Sequence, residues 1–183
     1  MGESLPRILS QARCRIKGPM LPTLKNLPKE DVQAALEIEL ASYPADEAAS
    51  LTSLTYRQEH AFECFRGAYL GDKLVGFICG TRTNDVRLTH DSMEEHVHDG
   101  KTLCIHSVVV DSNYRKKGYG KFMLKEYIKY VQDNSAKFGI NKMLLISKIH
   151  LVHVFYEACG FRLIEKWPYQ HGKDDWYECE YDL

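Results

Sequence analysis

The sequence predicts an α/β (α+β) fold in which a central mixed sheet of seven strands is flanked by about four helices. Its first half has the order strand, helix, helix, strand, strand, and its second half alternates strand with helix before two final strands. Such an order is typical of a mixed sheet with helices on both faces. A length of 183 residues supplies the core of one compact domain and is too short for two.

The first residues show no clear hydrophobic period. Residues 1–17 carry several basic groups, and we expect them to form a mobile N-terminal arm. Residues 18–183 are expected to form a single domain. Its first element is predicted to be a short extended run between Met20 and Leu27, which Pro28 closes.

A helix is predicted over residues 29–41. Val32, Leu36 and Leu40 recur at four-residue spacing, which would give the helix one apolar face. The helix should end before Pro44, because the residue that precedes a proline is disfavoured in the helical conformation.

A second helix and a β-hairpin should come next. Residues 55–62 are predicted to be helical, since Thr55 and Gln58 match the spacing of a capping box at a helix N-terminus. Residues 68–79 are predicted to form two strands that meet at a turn containing Gly71.

The later elements begin after a polar excursion over residues 84–100, which carries three histidines and in which we expect one helical turn. Apolar runs and helical periodicity define these later elements. They are a buried strand over residues 103–110, a long amphipathic helix over 118–138, a buried strand over 143–146, a helix over 151–159 and final strands near 161–167 and 176–181.

Composition excludes several classes of partner. With 24 basic and 25 acidic side chains, nothing attracts the whole molecule to nucleic acid or to an anionic membrane. The six cysteines are scattered without a Cys-x-x-Cys pair, and no apolar run approaches the ~20 residues of a membrane-spanning helix. We therefore expect a cytoplasmic protein that is a monomer or weak dimer. No metal is expected, because His96 and His98 form a pair without an apparent third ligand.

The chemistry is concentrated between Ile105 and Lys121, where a buried strand ends, a basic turn with glycines comes after it, and a helix begins. A helix N-terminus presents unpaired N–H groups, and Gly118 and Gly120 would let a phosphate approach them closely. The pattern predicts a cradle for a pyrophosphate. It has neither the Gly-Lys-[Ser/Thr] of a P-loop nor the third glycine of a dinucleotide-binding fingerprint. The residues alone equally permit a solvated basic turn that caps the helix.

The segment Arg115-Lys116-Lys117-Gly118-Tyr119-Gly120 resembles the acetyl-CoA signature, Arg/Gln-x-x-Gly-x-Gly/Ala, of the GNAT acetyltransferase superfamily. The similarity is greater to the arylalkylamine N-acetyltransferases, whose vertebrate member is serotonin N-acetyltransferase, and among them to the non-vertebrate type. It extends over residues 20–182 and rests on four stretches, which are 41–47, 74–80, 105–121 and 154–161. The resemblance implies the GNAT fold, acetyl-CoA as co-substrate without a metal, and a small-molecule amine as acceptor.

The resemblance also implies roles for particular residues. His106 matches the second of two catalytic histidines, and Tyr156 would lie beside the sulfur of acetyl-CoA. Residues 108–110 would pair with the pantetheine arm, and residues 116–121 would hold the pyrophosphate. The implied cofactor-binding residues are Val108, Val109, Val110, Arg115, Lys116, Lys117, Gly118, Tyr119, Gly120, Lys121 and Tyr156.

The sequence departs from the vertebrate pattern at the catalytic pair, because Cys104 stands where the first histidine is found. A relay through two histidines is therefore not expected. The Cys-Pro-Leu substrate loop of the vertebrate enzyme does not occur, and Tyr43-Pro44-Ala45 stands near its place.

An alkylammonium has a pKa near ~10 and must lose a proton before it attacks a thioester. We expect His106 to accept that proton, with Glu39 as reserve base, and the pH profile of kcat/KM to rise with an apparent pKa in the histidine range. Tyr156 is expected to protonate the departing thiolate. Without the resemblance, His106 could equally be a core histidine that is hydrogen-bonded to the backbone. Tyr156 could equally serve only to pack its helix against the core.

The preferred amine is left open between two classes. The residues expected to bind an arylalkylamine are Tyr43, Pro44, Glu39 and Trp176, with Trp167 extending an aromatic wall. The residues that favour a polyamine are the acidic Asp174, Asp175, Glu178 and Glu180 near the end of the sheet. A third interpretation is a catalytically silent domain that binds CoA or a partner protein.

Overall fold

The computed structural model describes residues 20–183, so the predicted mobile arm lies outside the described residues. The strands are β1 (Thr23–Asn26), β2 (Arg66–Leu70), β3 (Lys73–Thr83), β4 (Thr102–Val110), β5 (Lys142–Ser147), β6 (Arg162–Lys166) and β7 (Tyr177–Asp182). They form one sheet in the order β1-β2-β3-β4-β5-β7-β6. Neighbouring strands are antiparallel except β4 and β5, which are parallel. The predicted mixed sheet of seven strands is confirmed.

Five helices accompany the sheet within the described residues. They are α1 (Val32–Leu40), α2 (Leu51–His60), α3 (His90–Glu94), α4 (Tyr119–Phe138) and α5, whose α-helical first turn is Ile149–Leu151. The short α3 is the single turn expected in the polar excursion. Helix α5 continues as a π-helix over Val152–Tyr156 and ends in a 3₁₀ turn over Glu157–Cys159. The sequence predicted a helix at this place but not its π-helical turn.

Helices cover both faces of the sheet. Because consecutive residues of a strand point to opposite faces, neighbouring residues of β3 belong to different cores. Ile78 of β3 is fully buried in a core with Met123 of α4 on one face. Its neighbour Phe77 is fully buried with Leu54 of α2 on the other. A smaller cluster around Trp167 lies near α3.

Helix α1 buries a different face from the one that four-residue spacing predicts. Val32, Ala35 and Ile38 are buried, whereas Leu36 is partly buried and Leu40 is 55% exposed. The small side chain of Ala35 is fully buried in the core that α1 shares with α2. Non-local packing therefore overrides the stronger apolar repeat.

Helix α2 begins four residues before the predicted start. Ser50 is its N-cap, and the Ser50 hydroxyl accepts a hydrogen bond from the Ser53 N–H at 3.1 Å. Thr55 and Gln58 therefore lie inside the helix and form no capping box. The Gln58 amide donates instead to the carbonyl of Leu27 at 3.3 Å, which joins α2 to the end of β1.

A β-bulge interrupts the pairing of β3 with β4. Cys79 lies opposite Ser107 and Gly80 lies opposite Ile105, so His106 is an extra residue in β4. Because a bulge breaks the alternation of side chains, His106 and Ser107 both reach the face that carries α1 and α3. The bulge aims two polar side chains into one space.

Strands β4 and β5 separate at the same level. Their pairing ends with Ile105 and Leu145. Strand β5 pairs with β7 along its whole length, so its last residues, Ile146 and Ser147, keep β7 as a partner but have none in β4. The second half of β4 therefore has β3 on one side and an open gap on the other.

We predict that Gly80→Ala destabilises the fold by about 1–3 kcal/mol, because a Cβ at Gly80 would collide with the carbonyl oxygen of Cys104. Urea denaturation should show a lower midpoint with an unchanged m-value. Lys73→Ala, at the exposed start of the same strand, is the control and should stay within about 0.5 kcal/mol of the wild type. An unchanged midpoint in Gly80→Ala would contradict this account of the bulge.

Candidate active site

The gap between β4 and β5 opens into a cavity of about 180 Å³, here called the central cavity. The two predicted catalytic residues and the four predicted substrate-binding residues meet there, although they are distant in sequence. They are Glu39, Tyr43, Pro44, His106, Tyr156 and Trp176. An outer cavity of about 260 Å³ shares Glu39 and His106 with it and extends toward the N-terminus of α2. The central cavity is the candidate active site.

The hydrogen bond with Thr81 determines which tautomer the neutral His106 adopts. The His106 Nε2 atom lies 2.7 Å from the Thr81 hydroxyl, and that hydroxyl donates its proton to the carbonyl of Ser92. The hydroxyl can therefore only accept from His106, so Nε2 carries the imidazole proton. The Nδ1 atom is left with a lone pair and has no partner among the described residues. This buried nitrogen is the basic atom of a residue that lines the cavity.

The environment of His106 keeps the imidazole neutral. Burial lowers the pKa of His106 well below its ordinary value of 6.5, and the positive charge of Arg57 lowers it further. Arg57 is itself buried, where it donates to the carbonyl of Met93 at 3.1 Å. An inflection from His106 is therefore expected below the ordinary histidine range, which revises the expected pH profile.

Glu39 is the second acid–base group of the cavity. It lies near the end of α1 with 2% of its surface exposed. Its Oε1 accepts from the Ala49 N–H at 2.9 Å and from the Ser107 hydroxyl at 3.2 Å, while Oε2 has no partner among the described residues. Burial raises the pKa of this carboxyl above its ordinary value of 4.5. A raised pKa brings a carboxylate nearer to the value that suits a base at neutral pH.

The π-helix of α5 places Tyr156 on the opposite side of the gap. Its ring packs edge-on against Phe155 at 4.9 Å between ring centroids. Burial raises the pKa of the Tyr156 phenol above its usual value, so the hydroxyl keeps its proton at neutral pH. Burial, with Tyr156 and Glu39 nearby, also raises the pKa of Tyr43. Both phenols are thus available as proton donors.

The predicted phosphate cradle forms a cavity of about 360 Å³ at the N-terminus of α4. Gly118 is the N-cap with φ of 80°, in the left-handed region that glycine adopts without strain. The first intrahelical bond runs from the Phe122 N–H to the Gly118 carbonyl, which leaves the N–H groups ahead of Phe122 without intrahelical partners. Val108 lines both this cavity and the central one, so the two sites adjoin.

Most of the predicted cofactor-binding residues line the cradle. Those that do are Val108, Val110, Arg115, Lys116, Gly118, Tyr119, Gly120 and Lys121. Val109 instead packs in the core beneath α1, and the Lys117 ammonium lies 5.1 Å from the ring of Tyr114. The Arg115 guanidinium turns back and donates to the Val110 carbonyl and to the Ser42 hydroxyl, so two of its nitrogens already have acceptors within the protein.

Two other residues named in the sequence analysis, Cys104 and Trp167, are core residues. Cys104, at the position of the missing histidine, is fully buried, and burial raises its pKa to about 12. Trp167 is 2% exposed and donates its indole N–H to the carbonyl of Leu88 at 2.8 Å, so it is not part of the cavity wall. Neither lines the central cavity.

The acidic residues near the end of the sheet are paired with basic side chains. The pairs are Asp174 with Lys148, Asp175 with Lys166, Glu178 with Arg87, and Glu180 with Arg162. Their charges are therefore compensated within the protein. The patch that favoured a polyamine does not provide unpaired carboxylates.

Sequence reasoning assigned no role to several further residues of the central cavity, and four of them are polar residues near the Trp176 side. They are Glu47, Ser147, Lys148 and His171. Glu47 falls within residues 41–47, one of the stretches that carry the family resemblance, and that resemblance was the one signal that could have indicated a role for it. The others come from a strand end and a loop, where no periodic pattern exists to find them.

His96 and His98 do have a third polar neighbour, because Glu63 lies within 4.8 Å of both. The set nevertheless does not suit a cation. His96 Nδ1 accepts from the backbone N–H of Arg82 at 3.1 Å, so Nε2 carries the proton and has no lone pair for a metal. The Arg82 guanidinium also lies 3.7 Å from Glu63 and repels a second positive charge.

Residues 32–161 match the family model described as "Acetyltransferase (GNAT) family". The serotonin N-acetyltransferase of Mesocricetus auratus is 30% identical over 92 residues, which are 50% of this chain and 42% of that enzyme. The matched segment thus spans less than half of that relative. The GNAT assignment predicted from the basic glycine turn is confirmed.

Solved structures share the fold at low sequence identity. The loading GNATL domain of CurA from Lyngbya majuscula superposes with a TM-score of 0.76 at 16% identity, over 89% of this chain and 98% of that one. The putative acetyltransferase yncA from Salmonella typhimurium, solved with its cofactor acetyl-CoA, gives 0.64 at 16% identity over 90% and 95%. Both confirm the predicted fold class.

Between residues 20 and 183, the structure has no helix that combines the length and the apolar character needed to cross a membrane.

We predict that His106 makes stability depend on pH. The unfolded chain protonates His106 near 6.5, whereas the folded chain does so only at a lower pH. The free energy of unfolding should therefore fall as the pH drops from about 6.5 toward the lowered pKa. Urea unfolding between about pH 7.5 and 5.5 should show a shallower slope in His106→Gln. The pKa values of His96 and His171 are also lowered and remain so in both proteins, so identical slopes would contradict the prediction.

Proposed function

The chain belongs to the GNAT acetyltransferase family, and we propose that it transfers the acetyl group of acetyl-CoA to the primary amine of a small arylalkylamine. Transfer takes place by direct attack within a ternary complex. The five cysteines of the described residues are free and buried, which supports a reducing compartment such as the cytoplasm.

One observation carries the proposal. His106, Glu39 and Tyr156 line one cavity that adjoins the cradle. Their side chains carry a buried imidazole nitrogen and a buried carboxylate oxygen without partners among the described residues, and a protonated phenol. A proton acceptor, a site for an ammonium and a proton donor are the three groups that thioester aminolysis requires.

Acetyl-CoA is proposed to enter from the cradle. Its pyrophosphate would bind the N–H groups at the start of α4, where the helix dipole and Lys121 favour negative charge. The pantetheine arm would run along Val108 and Val110 in the gap left by β5. The thioester would then reach the level of Val108 and Tyr156, which both line the central cavity.

The amine is proposed to enter from the outer cavity as an ammonium that pairs with Glu39. It loses one proton to His106 Nδ1 and attacks the carbonyl carbon of the thioester. A backbone N–H of β4 holds the oxyanion, and the carbon–sulfur bond then breaks. The nitrogen gives up two protons overall. One replaces the proton that Tyr156 donates to the thiolate, and the other leaves to solvent, so the products are the amide, CoA thiol and one proton.

Two features of the structure favour an arylalkylamine over a polyamine, namely the aromatic cavity wall and the pairing of the acidic residues. Tyr43, Pro44 and Trp176 supply an aromatic and apolar wall. The acidic residues that a polyamine would need are occupied by basic partners.

Release of CoA thiol from acetyl-CoA in the presence of tryptamine, 2-phenylethylamine or spermidine tests the proposal. We expect turnover of both aromatic amines, with kcat/KM for spermidine at least about tenfold lower. Faster turnover of spermidine would identify a polyamine enzyme. Binding of acetyl-CoA without turnover of any amine would identify a silent domain.

We predict that Tyr156→Phe lowers kcat by about 10²- to 10⁴-fold, the usual effect of losing a general acid. Calorimetry should show nearly unchanged affinity for acetyl-CoA, because the hydroxyl acts as thiolate charge develops. Tyr130→Phe is the matched control, since Tyr130 lies on α4 outside the central cavity and the cradle. A kcat within about twofold of the wild type would remove Tyr156 from the proton path.

A further inference from the structure

Arg57 of α2 is a buried arginine whose hydrogen-bond acceptors are both uncharged. The residue is 6% exposed. Its Nη2 atom donates to the Met93 carbonyl at 3.1 Å, and its Nη1 atom donates to the Cys79 sulfur at 3.8 Å. Burial raises the pKa of Cys79, so the thiol is neutral at neutral pH. A buried guanidinium whose direct contacts are uncharged is costly for the fold, because its desolvation is poorly offset.

The two contacts of Arg57 join strand β3 to helix α3, since Cys79 belongs to β3 and Met93 to α3. A second bond between the same two elements lies beside them, because the Thr81 hydroxyl donates to the Ser92 carbonyl. Cys79 and Thr81 are two residues apart in a strand and therefore point to the same face. Arg57 and Thr81 thus hold consecutive carbonyls of α3 against one face of β3.

Helix α3 depends on such contacts for its position. It has five residues, and a helix of that length is not stable by itself. The capping box between Thr89 and Ser92 closes its first turn but does not set its distance from β3. Helix α2, from which Arg57 extends, is by contrast packed into the core through the fully buried Leu54. Arg57 therefore ties a short helix to a firmly packed one.

The position of the Ser92 carbonyl decides which nitrogen of His106 carries the proton. While the Thr81 hydroxyl donates to Ser92, it can only accept from His106 Nε2. If the carbonyl moved away, the hydroxyl could rotate and donate to Nε2, and the proton of the neutral ring would then occupy Nδ1. A ring protonated at Nδ1 has no lone pair there for the proton of the amine.

We propose that Arg57 is a positioning residue, which acts through the end of α3 and the Thr81 hydroxyl to keep His106 in the tautomer whose Nδ1 can accept a proton. This inference rests on the proposed function, in which His106 receives the proton of the amine. Arg57 acts on His106 without contact between the two side chains, because Met93, Ser92 and Thr81 lie between them.

Nitrogen-15 NMR of the free protein tests the tautomer, because a protonated ring nitrogen and a bare one resonate far apart. The His106 signals are identified by their absence from His106→Gln. At about pH 7.5, the wild type should have a proton on Nε2 and none on Nδ1. In Arg57→Met, which lacks the donors, a second form with the proton on Nδ1 should appear. The kcat for tryptamine should fall roughly tenfold or more.

Thr81 provides a second pair of variants. Thr81→Val removes the hydroxyl and should also allow the Nδ1-protonated form, whereas Thr81→Ser keeps the hydroxyl and should retain the wild-type tautomer. An unchanged tautomer in Thr81→Val would overturn the inference, since the hydroxyl would then not control the ring.

Arg66→Met is the matched control. The Arg66 guanidinium joins β2 to β1 in the same manner, through the Asn26 Oδ1 atom at 2.5 Å and the Leu24 carbonyl at 2.8 Å. Arg66 lines neither the central nor the outer cavity. Its replacement should lower the urea midpoint but leave the tautomer of His106 and the kcat unchanged. A merely structural role for Arg57 would give this same result in Arg57→Met.

The outcomes separate the inference from the proposed function. A wild-type tautomer in Arg57→Met, in an enzyme that acetylates tryptamine, would overturn the inference while the proposed function stands. A changed tautomer with kcat within about twofold of the wild type would overturn both the inference and the role of His106. Should Arg57→Met not fold, Arg57→Lys replaces it. One ammonium cannot stand at both Nη positions, so the same change of tautomer is expected, and its absence would again overturn the inference.

Discussion

The separation of β4 from β5 is the constraint on which the rest of the site depends. The strands pair as far as Ile105 and Leu145, and beyond that point β5 is paired with β7 alone. Beyond that point, the β4 backbone on this side has no strand partner, so its polar groups are free to bind an extended ligand. The bulge at His106 falls at the same level and turns His106 and Ser107 toward α1. The strand separation creates the gap, and the bulge at the same level turns two polar side chains toward it.

Burial then sets the proton affinities of the groups at the gap. A low-dielectric environment disfavours the charged form of each group, so it raises the pKa of Glu39 from 4.5 and lowers that of His106 from 6.5. Burial therefore favours the neutral form of both groups. Arg57 lowers both values and therefore favours the carboxylate while it disfavours the imidazolium. The same burial keeps Tyr156 protonated for the opposite step.

Two local conformations could be predicted from the sequence, whereas several features that depend on distant contacts could not. The hairpin at Gly71 and the start of α4 after Gly118 each arise from local conformation, and both are found where the sequence places them. The buried face of α1 is set by packing against α2, which no repeat within residues 29–41 reveals. The pairing of the acidic residues is also non-local, since Arg87 and Glu178 come from distant parts of the chain. The position of Glu47 in the cavity depends on Lys148 and Gly172, which are more than 100 residues away in the sequence.

The central claim, that the gap beside β4 and the start of α4 together hold acetyl-CoA, is tested most directly by amide NMR during titration with acetyl-CoA. The account predicts that the largest chemical-shift changes occur at the N–H groups of Val108, Val110, Gly118 and Gly120, and that amides of β1 and β2 change little. Largest changes on β1 and β2, with Val108 and Gly120 unmoved at saturation, would contradict it.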